Sequence, residues 1–307
     1  MLEAQRFVQE TERSLSAEEL LLGPQLIEAL QSLFSPDFDW VFIAITMLGS
    51  DEVLVGLSAV VYWCFDKPRG RLITYILLLG AYLNYFVKLL IPWPRPPVEL
   101  RIVEKSETSL GFPSGHAQDS TTFWALLSLN FRRRILAVTG AVVVLMVGIS
   151  RVYLGMHYPA QVIGGWIIGL AVAGLGMFVL RYLPPRGREV RWVPQMLFAV
   201  AMLVPVAAAV SIDPSGGVNA GRIAGYLFGF SLGALAEDRF VGFTVNVSTM
   251  RRIVRVVVGG VLTGVLVLAM GPVLPDTYLI PGFVNSVIRG LFVVLIVPVV
   301  FRLIERR

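Results

Sequence analysis

The sequence predicts an all-α fold, a polytopic bundle of about nine membrane-spanning helices. Three observations lead there. Hydrophobic residues make up 56% of the 307-residue chain and charged residues only 15%, where a soluble chain carries about 25% charged residues. Mean hydropathy is +0.73. Apolar runs of about 20 residues, the length that crosses a bilayer, recur along the chain between basic loops.

Residues 1–35 read as an amphipathic N-terminal segment. The stretch EAQRFVQETER is too polar and acidic for a signal peptide. Leu26, Ile27, Leu30, Leu33 and Phe34 recur at helical spacing, as in a helix lying along a membrane surface. A short soluble cap on the bundle is the alternative.

The spans expected next are 37–65, 71–91, 113–131, 133–155, 159–182, 192–212, 218–236, 252–271 and 282–303. The first is long and is interrupted at Gly49-Ser50-Asp51-Glu52, where Ser50 or Asp51 is placed to cap a second helical piece. The seventh is glycine-rich from Gly221 to Gly233, which suits close helix packing.

Loop charge orients the bundle. Seventeen of the 26 Lys and Arg fall on one side, from Lys67, Arg69 and Arg71 to Arg302, Arg306 and Arg307. Beyond residue 35 the other side holds Lys88, Arg95, Arg101, Lys105, Arg151, Arg222 and Arg289. The positive-inside rule puts the seventeen in the cytoplasm. The net charge of +5 therefore reports topology and implies no nucleic-acid partner. The single cysteine, Cys64, lies in an apolar run and says nothing of redox compartment. The sequon at Asn246 falls on the cytoplasmic side in this topology, where it stays unused.

Three polar clusters then share the outer side: Lys88 with Arg95 and Pro96, Pro113-Ser114-Gly115-His116, and Ser150-Arg151 with His157. Both histidines of the chain lie in them. Cations at the edge of a membrane interior are costly and usually functional. Pro92 and Pro94 end the second span at Lys88 and leave Arg95 in a rigid loop, free to turn back toward Lys88. Pro113 opens the third span and leaves Ser114, Gly115 and His116 at its N-terminus, where free N–H groups attract anions. Arg151 closes the fourth span, Gly155 is its stop, and Pro159 opens the fifth beyond His157. Such a set can bind a phosphoryl group and supply a nucleophile and a proton donor. Taken singly, each element has a bland reading: a packed histidine, a snorkelling lysine, an ordinary helix start.

The order KX6RP, PSGH and SRX5H resembles the signature of the type-2 phosphatidic acid phosphatase superfamily. The resemblance implies a six-helix phosphatase core at 36–212, with 213–307 as a three-helix membrane extension of unassigned role. It implies that His157 attacks phosphorus and forms a phosphohistidine, while His116 protonates the leaving oxygen and later activates water. Lys88, Arg95 and Arg151, with Ser114 and the Gly115 amide, would hold the phosphoryl oxygens without a metal or other cofactor. No Asp/Glu/His set at metal-ligand spacing accompanies the motifs.

One position departs from the family pattern. An Asp usually stands four residues after the nucleophilic histidine to orient it; here Gln161 does, as in glucose-6-phosphatases. Gln161 is thus the candidate to orient His157, with capping of its own turn as the alternative and Asp119 as another source of the missing charge. The expected function is hydrolysis of a lipid phosphate or diphosphate at the outer face; phosphatidate, polyprenyl diphosphate, phosphatidylglycerol phosphate and sphingoid phosphate are all open. A phosphatase of a soluble sugar phosphate, such as glucose 6-phosphate, is the alternative within enzymes. A non-catalytic lipid-phosphate binder or transporter is the alternative outside them. The expected location is the plasma (inner) membrane, with the bilayer itself as partner.

Overall fold

The structure is a computed structural model and describes residues 17–103, 109–182, 206 and 211–305. It is all-helical among these residues. The expected span at 192–212 lies mostly outside them, as do residues 1–16, Lys105 and Arg186, Arg188 and Arg191.

Two short helices, α1 (Ala17–Leu22) and α2 (Gln25–Phe34), precede the bundle. Ile27 of α2 is fully buried against Ala117, Val152 and Val162. Gln31 Nε2 donates to the carbonyls of Leu100 and Tyr153, each at 2.8 Å. The described part of the N-terminal segment is therefore docked on the protein, on the face that holds the three clusters. Leu33 stays 73% exposed.

The first span is broken. Helix α3 (Asp39–Met47) and α4 (Asp51–Cys64) meet at 46°. Ser50 adopts an extended backbone and its hydroxyl accepts from Val53 N at 3.4 Å, so a new helix starts there instead of the old one continuing. Asp66 caps α5 (Lys67–Leu90) through Arg69 N at 2.8 Å, with Pro68 in the first turn. The prolines after Leu90 end it.

Helices α6 (Gly115–Phe131), α7 (Arg134–Tyr153) and α8 (Pro159–Tyr182) complete the centre of the bundle. Leu54, Ile73, Leu77, Phe123 and Leu126 form the apolar core between α4, α5 and α6. Gly169 lets α8 approach α6 closely: a Cβ there would sit 2.5 Å from Gln118 O. Thr122 Oγ1 uses the closeness to donate to Gly169 O at 3.2 Å. Gly155, at φ +67, turns the chain from α7 toward α8, and a side chain there would strike Leu100 O.

The extension comprises α9 (Pro214–Ala236), α10 (Thr249–Val273), α11 (Leu279–Leu291) and α12 (Val297–Glu305), with π-helical turns at Glu237–Val241 and Phe292–Ile296. The glycines of α9 face α11 in register, Gly221 against Leu279, Gly225 against Phe283 and Gly229 against Val287. The two helices thus run parallel at near backbone contact. Tyr82 and Tyr85 of α5 pack on Ala220 and Ala224, joining extension to core.

Among the described residues five helices are long and apolar enough to cross a membrane, or six counting the bent α3–α4 pair as one span. The protein is an integral membrane protein. Of the nine expected spans, 113–131 emerges as the 17-residue α6, shorter than a full crossing, and 218–236 as the glycine-rich α9, which falls outside that set.

Candidate active site

The site is built where α5 ends, α6 begins, α7 ends and α8 begins. Each terminus delivers one motif. Lys88, in the last turn of α5, donates from Nζ to Leu110 O at 2.6 Å and Pro113 O at 2.9 Å. It thereby ties the first motif to the approach of the second. Ser114 is the N-cap residue of α6, but its hydroxyl makes no capping bond. That Oγ is buried and has no protein partner, which leaves it available to an incoming oxygen.

Arg95 and Lys88 both lie close enough to His157 to act on its charge. Arg95 reaches across to the third motif, with Nη1 2.9 Å from His157 Nε2 and 3.1 Å from Met156 O. Its other nitrogens donate to Ser109 O at 2.7 Å and Ser109 Oγ at 2.9 Å. The guanidinium can only donate, so His157 Nε2 must be the acceptor and the ring proton must sit on Nδ1. Nδ1 lies 3.1 Å from Gln161 Oε1. The orientation of that amide is fixed independently: Tyr158 N donates to Oε1 at 3.2 Å, and Nε2 donates to Pro94 O at 2.7 Å. Gln161 thus both caps its own turn and contacts His157.

The ring of His157 is 1% exposed. Burial, then Arg95, Arg151 and Lys88, push its pKa well below the ordinary histidine value, and the Gln161 contact opposes only part of that. The imidazole is neutral at pH 7, with a lone pair on Nε2. This is the protonation state a nucleophile needs.

Arg151 is also buried, and its Nη1 donates to Thr46 Oγ1 at 3.2 Å, beside the break of the first span. Its carbonyl accepts from Met156 N at 3.1 Å and His157 N at 3.2 Å, which fixes the turn that presents His157. His116, in the first turn of α6, is partly exposed. Its backbone abuts Gly49: a Cβ on Gly49 would lie 3.2 Å from His116 O and 2.6 Å from Val147 Cγ1. Gly115 is partly exposed on the same turn. Asp119 is buried beside Gln118, whose Nε2 is 3.5 Å away.

Motif reading alone missed Thr46, Ser109, Asn84 and Gln118. Asn84 Nδ2 donates to Gln118 Oε1 at 2.9 Å and Gln118 Nε2 to Gly80 O at 2.7 Å, a buried polar brace beneath Pro113. Asn84, a polar residue one turn before Lys88 in an apolar run, was the available signal. Thr46 and Ser109 gave none.

Residues 70–185 match the PAP2 superfamily, and residues 221–306 match the family described as PAP2 superfamily phosphatase, transmembrane extension. The chain is 27% identical over 148 residues to phosphatidylglycerophosphatase B of Bacillus subtilis, covering 44% of this chain and 71% of that protein. It is 30% identical over 129 residues to human sphingosine-1-phosphate phosphatase 2, covering 39% of this chain but only 32% of that protein. The crystal structure of a transmembrane PAP2-type phosphatidylglycerolphosphate phosphatase from Bacillus subtilis aligns with a TM-score of 0.46 and 25% identity, over 53% of this chain and 86% of that one.

Proposed function

The chain belongs to the PAP2 superfamily of membrane phosphatases, and on that premise we propose that it hydrolyses a lipid phosphate or diphosphate through a phosphohistidine at His157. The observation that carries the reading is the pairing of His157 Nε2, an acceptor, with the Arg95 guanidinium at 2.9 Å. Arg95 covers that lone pair. An arriving phosphoryl group draws the guanidinium onto its own oxygens and frees Nε2 to attack.

In the first step Nε2 forms a bond to phosphorus as the bond to the leaving oxygen breaks, and His116 gives that oxygen its proton. In the second, His116 takes a proton from water, whose oxygen displaces the histidine and releases phosphate. Lys88, Arg95 and Arg151, the Ser114 hydroxyl and the Gly115 amide hold the charge that builds on the phosphoryl oxygens. Preorganised charges in a buried site act without the reorganisation that water would require.

A lipid substrate is supported by what surrounds the cations. Leu90 and Val98, at 80% and 66% exposed, are apolar positions two and three residues along the chain from Lys88 and Arg95, and an acyl or prenyl tail would lie against such surface. The six-helix core at 36–212 and the extension at 213–307 are the units of this reading. The active face is outward, because Lys67, Arg69, Arg71 and Arg132 to Arg134 lie at the opposite helix ends. The sugar-phosphate alternative rests on Gln161.

The test is rapid quench of the purified protein with ³²P-labelled phosphatidate, phosphatidylglycerol phosphate, polyprenyl diphosphate and glucose 6-phosphate. The expected result is an acid-labile, base-stable label that His157→Ala abolishes, with turnover lowered on the order of 10³-fold or more. Substantial turnover by His157→Ala overturns the mechanism. Glucose 6-phosphate outpacing the lipids overturns the substrate class.

A further inference from the structure

The extension brings two arginines to one carboxylate. Arg289 Nη1 lies 3.2 Å and Arg222 Nη2 3.6 Å from the same oxygen, Asp276 Oδ2. The other oxygen, Oδ1, accepts from Asn285 Nδ2 at 3.0 Å, and that amide also donates to Leu274 O at 2.9 Å. Arg222 Nη1 donates further to Asn219 Oδ1 at 3.3 Å. Among the described residues the cluster therefore has two positive charges paired to one negative.

Its polar groups are also incompletely matched. Nε of both arginines and Oδ1 of Asn285, a residue with 0% exposure, are buried without a protein partner. Buried polar atoms left without partners are costly. A tie between α9 and α11 alone needs one arginine for one carboxylate; the second arginine adds repulsion.

The cluster is open to ligand. The side chains of Arg222, Asp276 and Arg289 are 34%, 27% and 17% exposed. It lies on the membrane face of the phosphatase site, because the first half of α9 packs on Tyr82 and Tyr85, within two turns of Lys88. It is distinct from that site in its residues and helices.

We propose that Arg222 and Arg289 form a second anion site, which takes the phosphate of a membrane lipid headgroup or a free phosphate ion. Asp276 competes with that phosphate for both guanidiniums and sets the affinity. Arginine suits the task, since its planar fork pairs with phosphate through two parallel hydrogen bonds.

The experiment counts phosphatidylglycerol retained per protein by native mass spectrometry, from nanodiscs of phosphatidylglycerol in phosphatidylcholine. A parallel arm follows thermal stabilisation by inorganic phosphate in detergent. The Arg222→Gln/Arg289→Gln protein should retain one phosphatidylglycerol fewer than the unmodified protein if the lipid is the ligand. It should lose part of the phosphate-induced shift if the free ion is. Asp276→Asn removes the competing charge and should strengthen binding by about threefold or more. If the double variant fails to fold, Asp276→Asn still decides. Weakened or unchanged binding in Asp276→Asn, or unchanged retention and unchanged phosphate response in the double variant, overturns the proposal.

Discussion

Gln161 Oε1 lies 3.1 Å from Nδ1 of His157, and the same glutamine touches all three motifs. Its Nε2 donates to Pro94 O at 2.7 Å, and its backbone carbonyl accepts from Ser114 N at 3.0 Å. It supplies the acceptor that fixes the histidine tautomer but no negative charge. Gln161→Leu should lower kcat on the order of 10²-fold with the protein still folded, as misplacing a catalytic group does. Unchanged turnover would remove Gln161 from the site.

Substitution by a carboxylate gives a pH test of the same contact. Burial and three cations hold His157 well below its ordinary pKa, which favours the neutral ring. Gln161→Asp adds an anion beside Nδ1–H and raises that pKa. The acid limb of the kcat/KM profile should therefore move to higher pH, while activity at neutral pH is kept or raised. A limb that stays in place would show that His157 is not the group that titrates.

Thr46 holds Arg151 from the broken first span, at 3.2 Å between Oγ1 and Nη1. Hydrogen bonds to charged groups contribute about 1.5–3 kcal/mol. Thr46→Val should lower kcat/KM about tenfold, equivalent to about 1.4 kcal/mol, and weaken inhibition by vanadate. Thr46→Ser should restore both. Equal losses in Thr46→Val and Thr46→Ser would mean that packing, not the hydroxyl, matters at this position.

Orientation can be read by labelling single cysteines on a Cys64→Ala background in intact cells. Val98, on the side of the site, is 66% exposed, and Arg133 lies between α6 and α7 at the other end. Val98→Cys should react with an impermeant thiol reagent and Arg133→Cys should not. The reverse pattern would put the active face in the cytoplasm.

What the sequence made legible follows from what is local. The cap at Ser50, the prolines after Leu90 and the glycine at 155 act within a few residues, and each can be read from its neighbours. Motif spacing likewise placed Lys88, His116, Arg151 and His157 at helix ends on one side. What was not legible depends on partners far along the chain. The contacts of Arg95 to Ser109 and His157 are made by a loop fold that no spacing encodes. The N-terminal helix reads as interfacial by periodicity, yet Ile27 is buried in the bundle. Lys67 and Arg71 read as topology markers, yet both are engaged in ion pairs with the extension.

Those ion pairs carry the last prediction. Glu237 is fully buried at the end of α9 and binds Lys67, Arg71 Nη2 at 2.7 Å and Phe243 N at 3.0 Å. Beside it Tyr62 OH donates to Val294 O at 3.1 Å and Trp63 Nε1 to Val293 O at 3.0 Å, two carbonyls of the second π-helical turn. A π turn loosens the regular ladder, so its carbonyls can take outside donors. Core and extension are therefore joined by a buried polar seam at the start of α5. Removing one partner of a buried ion pair costs about 3–5 kcal/mol. Asp238, 2.6 Å from Arg71 and 3.1 Å from Lys67, stays as a second anion, so Glu237→Gln should fall near the lower end of that range. The active site lies at the far end of α5, about 30 Å away at 1.5 Å per residue. Thermal unfolding of Glu237→Gln in detergent should shift markedly downward, while turnover per folded molecule should change less than about threefold, since no contact to the reacting groups is altered. A stable variant would make the seam incidental; a stable but inactive one would mean that the extension acts on the site along α5.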